Sequence, residues 1–268
     1  MCQFKSALVL PSEDIVHSPF TDSHEDLIDI QGLIDDAVTG ARFVRIEFSP
    51  NPDHPDEYAD LSKYKLKVDQ HDVPDWWTPE LRERTAERMR EIVKPSLVTS
   101  YRNCLVGGCY ILAGNARIDH LSFARIIAML DSSQVVAMDN ASQVEIMCGG
   151  STIEQMNGSS YIGRMRHTSH IGSIYSGYVS EMINQSSIEA MYYLSQVAIM
   201  RHSSYIDKMY SSSRVKLMFD SSYVKEMLGH SYVQGLRNSS YVEYAQQGSC
   251  VGIVEDGAMI VNDNRSLG

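Results

Sequence analysis

Motifs that announce a chemistry are missing from this chain. It contains no P-loop, no GxGxxG, no HExxH and no CxxC. The pattern therefore offers no glycine loop for phosphate, no helical zinc pair and no dithiol. Cysteine is scarce and odd in number: Cys2, Cys104, Cys109, Cys148 and Cys250. With no export signal, these read as reduced thiols, buried or incidental. Long apolar runs are also absent. The N-terminal stretch from Ala7 to Pro11 is too short for a signal core or a membrane span, so a cytosolic protein is expected.

Basic charge is in deficit. The 268 residues carry 23 Lys and Arg against 34 Asp and Glu, a net of −11. Most of the deficit lies early. Residues 1–114 hold 12 basic and 20 acidic side chains, whereas residues 115–268 hold 11 and 14. Phosphate would be repelled, so binding to nucleic acid or to an anionic membrane is not expected. A basic protein surface is a suitable partner. The hydrophobic fraction of 43% is enough for a real core, in one large domain or two ordinary ones.

What is abundant is a repeat. A β-branched residue recurs every nine positions from Ile126 through Val135, Val144 and Ile153 to Val251 and Ile260, with one eight-residue step from Ile171 to Val179. An earlier unit at Ile118 also stands eight residues before its successor. Two residues before most of these anchors stands a small residue, usually serine, from Ser133 to Ser249. Three after stands Met or a substitute, from Met129 to Leu236, and this column holds 11 of the 14 Met.

Serine and its anchor, two apart, share one side of a strand; Met three further on returns to that side only if the chain bends between them. The units end in turn residues such as CGG, NGS, FDS and LGH. Nine residues do not fit a 3.6-residue helix, and β-branched residues with serine make poor helix. The expected fold is mainly β: a parallel β-solenoid with like residues stacked in columns. Two nonads give a flattened 18-residue coil, three a triangular 27-residue one. Tyr205, Tyr223 and Tyr241, spaced 18 apart before their anchors, favour two.

The first 95 residues lack the nonad and read as an α+β domain, with the solenoid over 96–268. A helical face runs from Ser23 to Val38 and an alternating strand from Arg42 to Phe48. Three prolines make a loop of residues 49–58. A second strand spans Lys63–Val68, and Thr78-Pro79-Glu80 opens a helix reaching about Val93. This piece is expected to cover the first coil, whose open edge would otherwise invite aggregation. At the other end, Ala258–Val261 is an apolar last unit with a short tail. It predicts a homodimer through the C-terminal coil; alternatively the tail folds over it.

The region from about 60 to 260, with "KYKLKVDQHDVPDWW" (63–77), a helix and serial "SQV..M" units, resembles phage and prophage nonapeptide-repeat proteins. In principle it is similar to pentapeptide-repeat proteins, which also stack small and apolar residues inward. Its two-nonad coil is similar to the calcium β-roll, but the Gly-Gly-x-Gly-x-Asp ligand repeat is absent and its calcium sites do not carry over. The phage resemblance implies the cytoplasm of a bacterial host and a non-catalytic inhibitor or decoy of a host defence protein. Some pentapeptide-repeat proteins mimic DNA with rows of acids; here the nearly neutral rod leaves only the acidic head for that role.

No cofactor or metal is expected. Asp119-His120 with Ser122, the pair His167 and His170, and the acidic loop Asp53–Glu57 are read as surface groups. Asp139, Glu145, Glu154, Glu181 and Glu189 are read as acids of a solvated coil exterior; a glycan-active enzyme would need two of them paired across a groove. The candidate binding residues are Trp76 and Trp77 with the outward tyrosines Tyr161, Tyr178, Tyr205, Tyr223, Tyr232 and Tyr241. Their plain reading is packing and strand propensity; otherwise they are anchors for a protein partner. The alternative function is a structural or carbohydrate-binding rod.

Overall fold

The computed structural model describes residues 4–19, 21–33, 42–255 and 257–265. The chain forms two compact units, Met1–Val98 with Gly108–Ile111, and Thr99–Gly107 with Leu112–Gly268.

The first unit is built on an antiparallel sheet of β1 (Lys5–Val9), β2 (Ile15–Val16), β3 (Val44–Ser49) and β4 (Lys65–Val68), in the order β2-β1-β3-β4. Helix α1 (His24–Ile30) is capped by Ser23, whose hydroxyl accepts from the Asp26 N–H. The helical pattern in the sequence ran to Val38, but α1 stops at Ile30. Gly32 takes φ +61°, its N–H donates to Asp29, and the Leu33 N–H donates to Ile28. That closure satisfies the last carbonyls and ends the helix. The remainder of the expected helix, 34–38, lies outside the described residues. Leu27 and Ile28 of α1 pack with Leu8 and Phe43. Helix α2 (Pro79–Val93) starts as expected, with Thr78 capping the Leu81 N–H, and buries Leu81, Thr85, Met89 and Val93 on one face.

The second unit is a parallel β-solenoid of about nine turns. Successive strands alternate between two sheets. Sheet I has ten strands, from Arg102–Val106 through Tyr205–Met209 to Met259–Asp263. Within this unit, sheet II runs from Arg125–Met129 through Arg214–Met218 to Cys250–Val254. Cross-coil partners such as Val135 and Ile153 are 18 residues apart, so one coil takes two nonads. Where the sequence takes an eight-residue step, the partners are 17 apart, as in Ile162 with Val179.

The bend that brings Met back inside is visible in the pairing. Tyr205, Ile206, Lys208 and Met209 pair with Tyr223, Val224, Glu226 and Met227, and Asp207 drops out of the ladder. The coils from Val135 to Ala245 repeat this, so two consecutive residues face outward while the anchor and the Met-column residue both lie inward. The anchors, the Met and the serines form buried columns. Ser142, Ser160, Ser222 and Ser240 donate their hydroxyls to the carbonyl three residues back, which closes those four corners. At the shortened coil Gly177 replaces the serine. A Cβ there would come within 2.8 Å of the Met156 methyl.

The corners hold many residues at positive φ. On the edge after sheet II, Asp131, His167, Asn184, His202, Asp220 and Asn238 all take the left-handed conformation. Their side chains build a ladder of their own. His167 accepts from the Gly149 N–H at 3.2 Å, Asn184 from His167 at 3.3 Å, and Asp220 from His202 at 3.0 Å. Each corner thus satisfies the backbone of its neighbour, which suits Asn, Asp and His at that conformation.

Candidate functional site

The six candidate tyrosines all stand just before their anchors, and alternate nonads place them on two faces. Tyr205, Tyr223 and Tyr241 form a ladder on sheet I, with centroid spacings of 5.2 and 5.1 Å and rings within 6° of parallel. Tyr161 and Tyr178 stack at 5.8 Å on sheet II, where Tyr232 stands between Arg214 and Cys250.

A second ladder was missed in the sequence. Tyr175, Tyr192 and Tyr210 stack on sheet I with spacings of 4.9 Å and rings within 7° and 2° of parallel. They sit four residues after their anchors, at the far end of the strands, and their 17- and 18-residue spacing was the available signal. Burial raises the Tyr192 phenol, with Tyr210, Tyr175 and Glu189 adding to the shift; Tyr223 is raised for the same first reason, with Tyr241 and Tyr205 adding. These hydroxyls therefore remain protonated, able both to donate and to accept.

Next to this ladder, the corner at Tyr193 and Leu194 departs from the pattern. The corners elsewhere are mostly Ser, Gly, Asn or Asp, but here two large apolar side chains stand 60% and 63% exposed. Tyr193 holds φ +54°, a conformation that bulky residues rarely adopt, and its ring lies 6.2 Å from that of Tyr175. Phe123, at φ +53° and 67% exposed, is its counterpart on the same edge several coils away.

The sheets also differ in charge. Counting each strand and the residue after it, sheet I carries Arg102, Arg117, Lys208 and Lys225 against Asp119, Asp139, Glu154, Glu189, Asp207, Glu226, Glu243 and Asp263, a net of −4. Sheet II carries Arg125, Arg164, Arg166, Arg201, Arg214, Lys216 and Arg237 against Glu145, Glu181 and Glu255, a net of +4. The nearly neutral rod is thus two oppositely charged faces. On sheet II the acids are paired: Glu145 with Arg125, Glu181 with Arg164 at 2.6 Å, and Glu255 with Arg237 at 3.0 Å. Phe219 lies between two guanidinium groups, 4.8 Å from Arg201 and 5.8 Å from Arg237.

The remaining sequence candidates engage neighbours of their own. Asp119 accepts from the Tyr101 hydroxyl at 2.8 Å, whereas Ser122 accepts from Asn140 at 3.1 Å, so each has its own partner. His167 belongs to the corner ladder and His170 faces the Ser187 hydroxyl at 2.9 Å. In the acidic loop, Glu57 pairs with Lys63 at 2.6 Å. Trp76 and Trp77 are both half-buried and meet edge to face at 6.3 Å, so neither is the fully inward ring of a simple alternation. None of the four described cysteines forms a disulfide; Cys148 is buried, and Cys104 and Cys250 are exposed. No described helix is long and apolar enough to cross a membrane. No protein-family profile matches the chain, and no curated protein or solved structure is significantly similar to it.

Proposed function

We propose that this protein is a non-catalytic binding module that presents sheet I of its solenoid to a basic protein surface. The carrying observation is the Tyr193–Leu194 corner. A strained, exposed aromatic–aliphatic pair sits beside the stacked Tyr175, Tyr192 and Tyr210 on the acidic face. Strain held at an exposed, bulky residue points to use rather than packing. Aromatic anchors on a rigid wall bind at low entropic cost, and the net of −4 steers a cationic partner. The stacking also favours protein over sugar. Carbohydrate recognition needs open ring faces, and in both ladders the faces largely cover one another, leaving edges and hydroxyls outward. With the phage resemblance, the specific form of the proposal is a phage-encoded inhibitor or decoy of a host defence protein, acting in the bacterial cytoplasm.

The terminal coil supports a homodimer within the same proposal. Ile253, Val254, Met259 and Val261 are all roughly half exposed, and among the described residues no further strand pairs with the last strand of either sheet. Glu255 and Asp263 are already paired with Arg237 and Arg265, so like-charge repulsion between two such ends is small.

The test compares proteins captured from host lysate by the natural chain and by Tyr193→Gly with Leu194→Ser. A second bait carries Glu189→Lys with Asp207→Lys. A partner held by the natural chain and lost from both baits supports the proposal. Identical capture by all three overturns it.

A further inference from the structure

In the first unit, an open groove of about 600 Å³ lies between strand β4 and helix α2. Trp77, Pro79 and Ala86 give it an apolar lining, while Lys65, Lys67 and Arg82 supply cations and Glu83 one carboxylate. The size falls within the range of small-ligand sites.

The charge here runs against its surroundings. The chain is acidic overall, yet three cations and one acid meet in this groove. Among the described residues, none of the three cations has a carboxylate at ion-pair distance. Arg82 instead donates to the Leu66 carbonyl at 2.9 Å, which fixes its guanidinium over the open edge of β4. That contact also blocks the addition of a further strand, which disfavours an extended peptide. Lys65 and Lys67 are both exposed on one side of β4 and two residues apart. Thr78 and Pro79 bring the N-terminal end of the 15-residue α2 to the same groove, where its dipole adds to the positive field.

We propose that this groove binds a small organic anion: an apolar or aromatic body against Trp77, Pro79 and Ala86, with a carboxylate or phosphate head between Lys65, Lys67 and Arg82. The site is separate from sheet I and does not depend on the protein-binding proposal. The cations give orientation and the apolar lining gives contact area.

Trp76 and Trp77 are the only tryptophans, so intrinsic fluorescence reports on the groove directly. The probes are phenyl phosphate and 3-phenylpropionate, with 3-phenylpropanol as the neutral comparator, titrated against the intact chain. For ligands of this size, saturation with a midpoint on the order of 1 mM or tighter is expected. Added salt should weaken it. The double variant Lys65→Gln with Lys67→Gln changes only exposed side chains and should raise the midpoint about tenfold, or about 1.4 kcal/mol. Glu83→Gln should lower it. Saturation by one anion alone identifies the head group, and saturation by both leaves the shared anion chemistry; each supports the site. No saturable change with either anion, equal binding of the alcohol, or an unchanged midpoint in the double lysine variant overturns it.

Discussion

The rings of Tyr192 and Tyr210 lie 4.9 Å apart and within 2° of parallel, although the residues are one coil apart in sequence. The stack follows from the pairing of their strands, in which Ser187 is set opposite Tyr205 and Met191 opposite Met209. Burial and neighbouring phenols raise the Tyr192 and Tyr223 hydroxyls above the ordinary tyrosine range. The folded state therefore holds these protons more tightly than the unfolded chain. Their contribution to stability is complete below pH 10 and is lost as pH rises through the folded values. Thermal unfolding followed from pH 8 to pH 11 should show a falling midpoint, and Tyr192→Phe with Tyr223→Phe should flatten that fall.

Tyr193→Gly separates stability from binding. Glycine adopts φ +54° without a Cβ clash, so the variant should gain about 1 kcal/mol in chemical denaturation while losing the partner. A loss of stability together with binding would make the corner a packing feature.

The Met column should behave as a packed core. Met200 is fully buried between Met182 and Met218 in adjacent coils. Met200→Ala should cost about 2–5 kcal/mol in urea unfolding. Met200→Leu keeps most of the volume and should cost less than about 1.5 kcal/mol.

The corner ladder predicts a rescue. Asp220 accepts the His202 N–H at 3.0 Å and holds φ +58° itself. Asp220→Leu removes the acceptor and places a branched side chain at positive φ, for a loss of about 2 kcal/mol. Asp220→Asn keeps both the acceptor and the tolerated conformation and should be close to neutral by the same measurement.

If the terminal coils pair, light scattering will give the mass of two chains at micromolar concentration. Val261→Lys with Ile253→Lys places charge on the exposed apolar end and should return the single-chain mass with an unchanged circular dichroism spectrum. A natural chain that stays single at all accessible concentrations removes the dimer.

Much of the solenoid was legible because its cause is local. Val144 and Met147 repeat in every coil since each coil meets only its neighbours, so a periodic core needs a periodic sequence. The first unit was less legible. The strand Lys5–Val9 is short, with only Ala7, Leu8 and Val9 apolar and no alternation to mark it, and α1 was cut short by a glycine closure inside an otherwise helical pattern. Of the candidate surface, the ladder at Tyr205, Tyr223 and Tyr241 was visible as an 18-residue spacing. The Tyr193–Leu194 corner was not, because exposure and φ are properties of the folded backbone.

The sequence alone determined that serine, a branched aliphatic and methionine would face inward together, because their order and the turn residues between them admit one side for all three. Only the tertiary structure decided which outward residues share a face. Winding two nonads per coil sends odd and even units to opposite sheets. It thereby sorted an almost neutral set of charges into one acidic, tyrosine-lined wall and one cationic wall. Linear spacing does not record that separation, since it arises when the chain closes a coil every two repeats and like residues stack across coils.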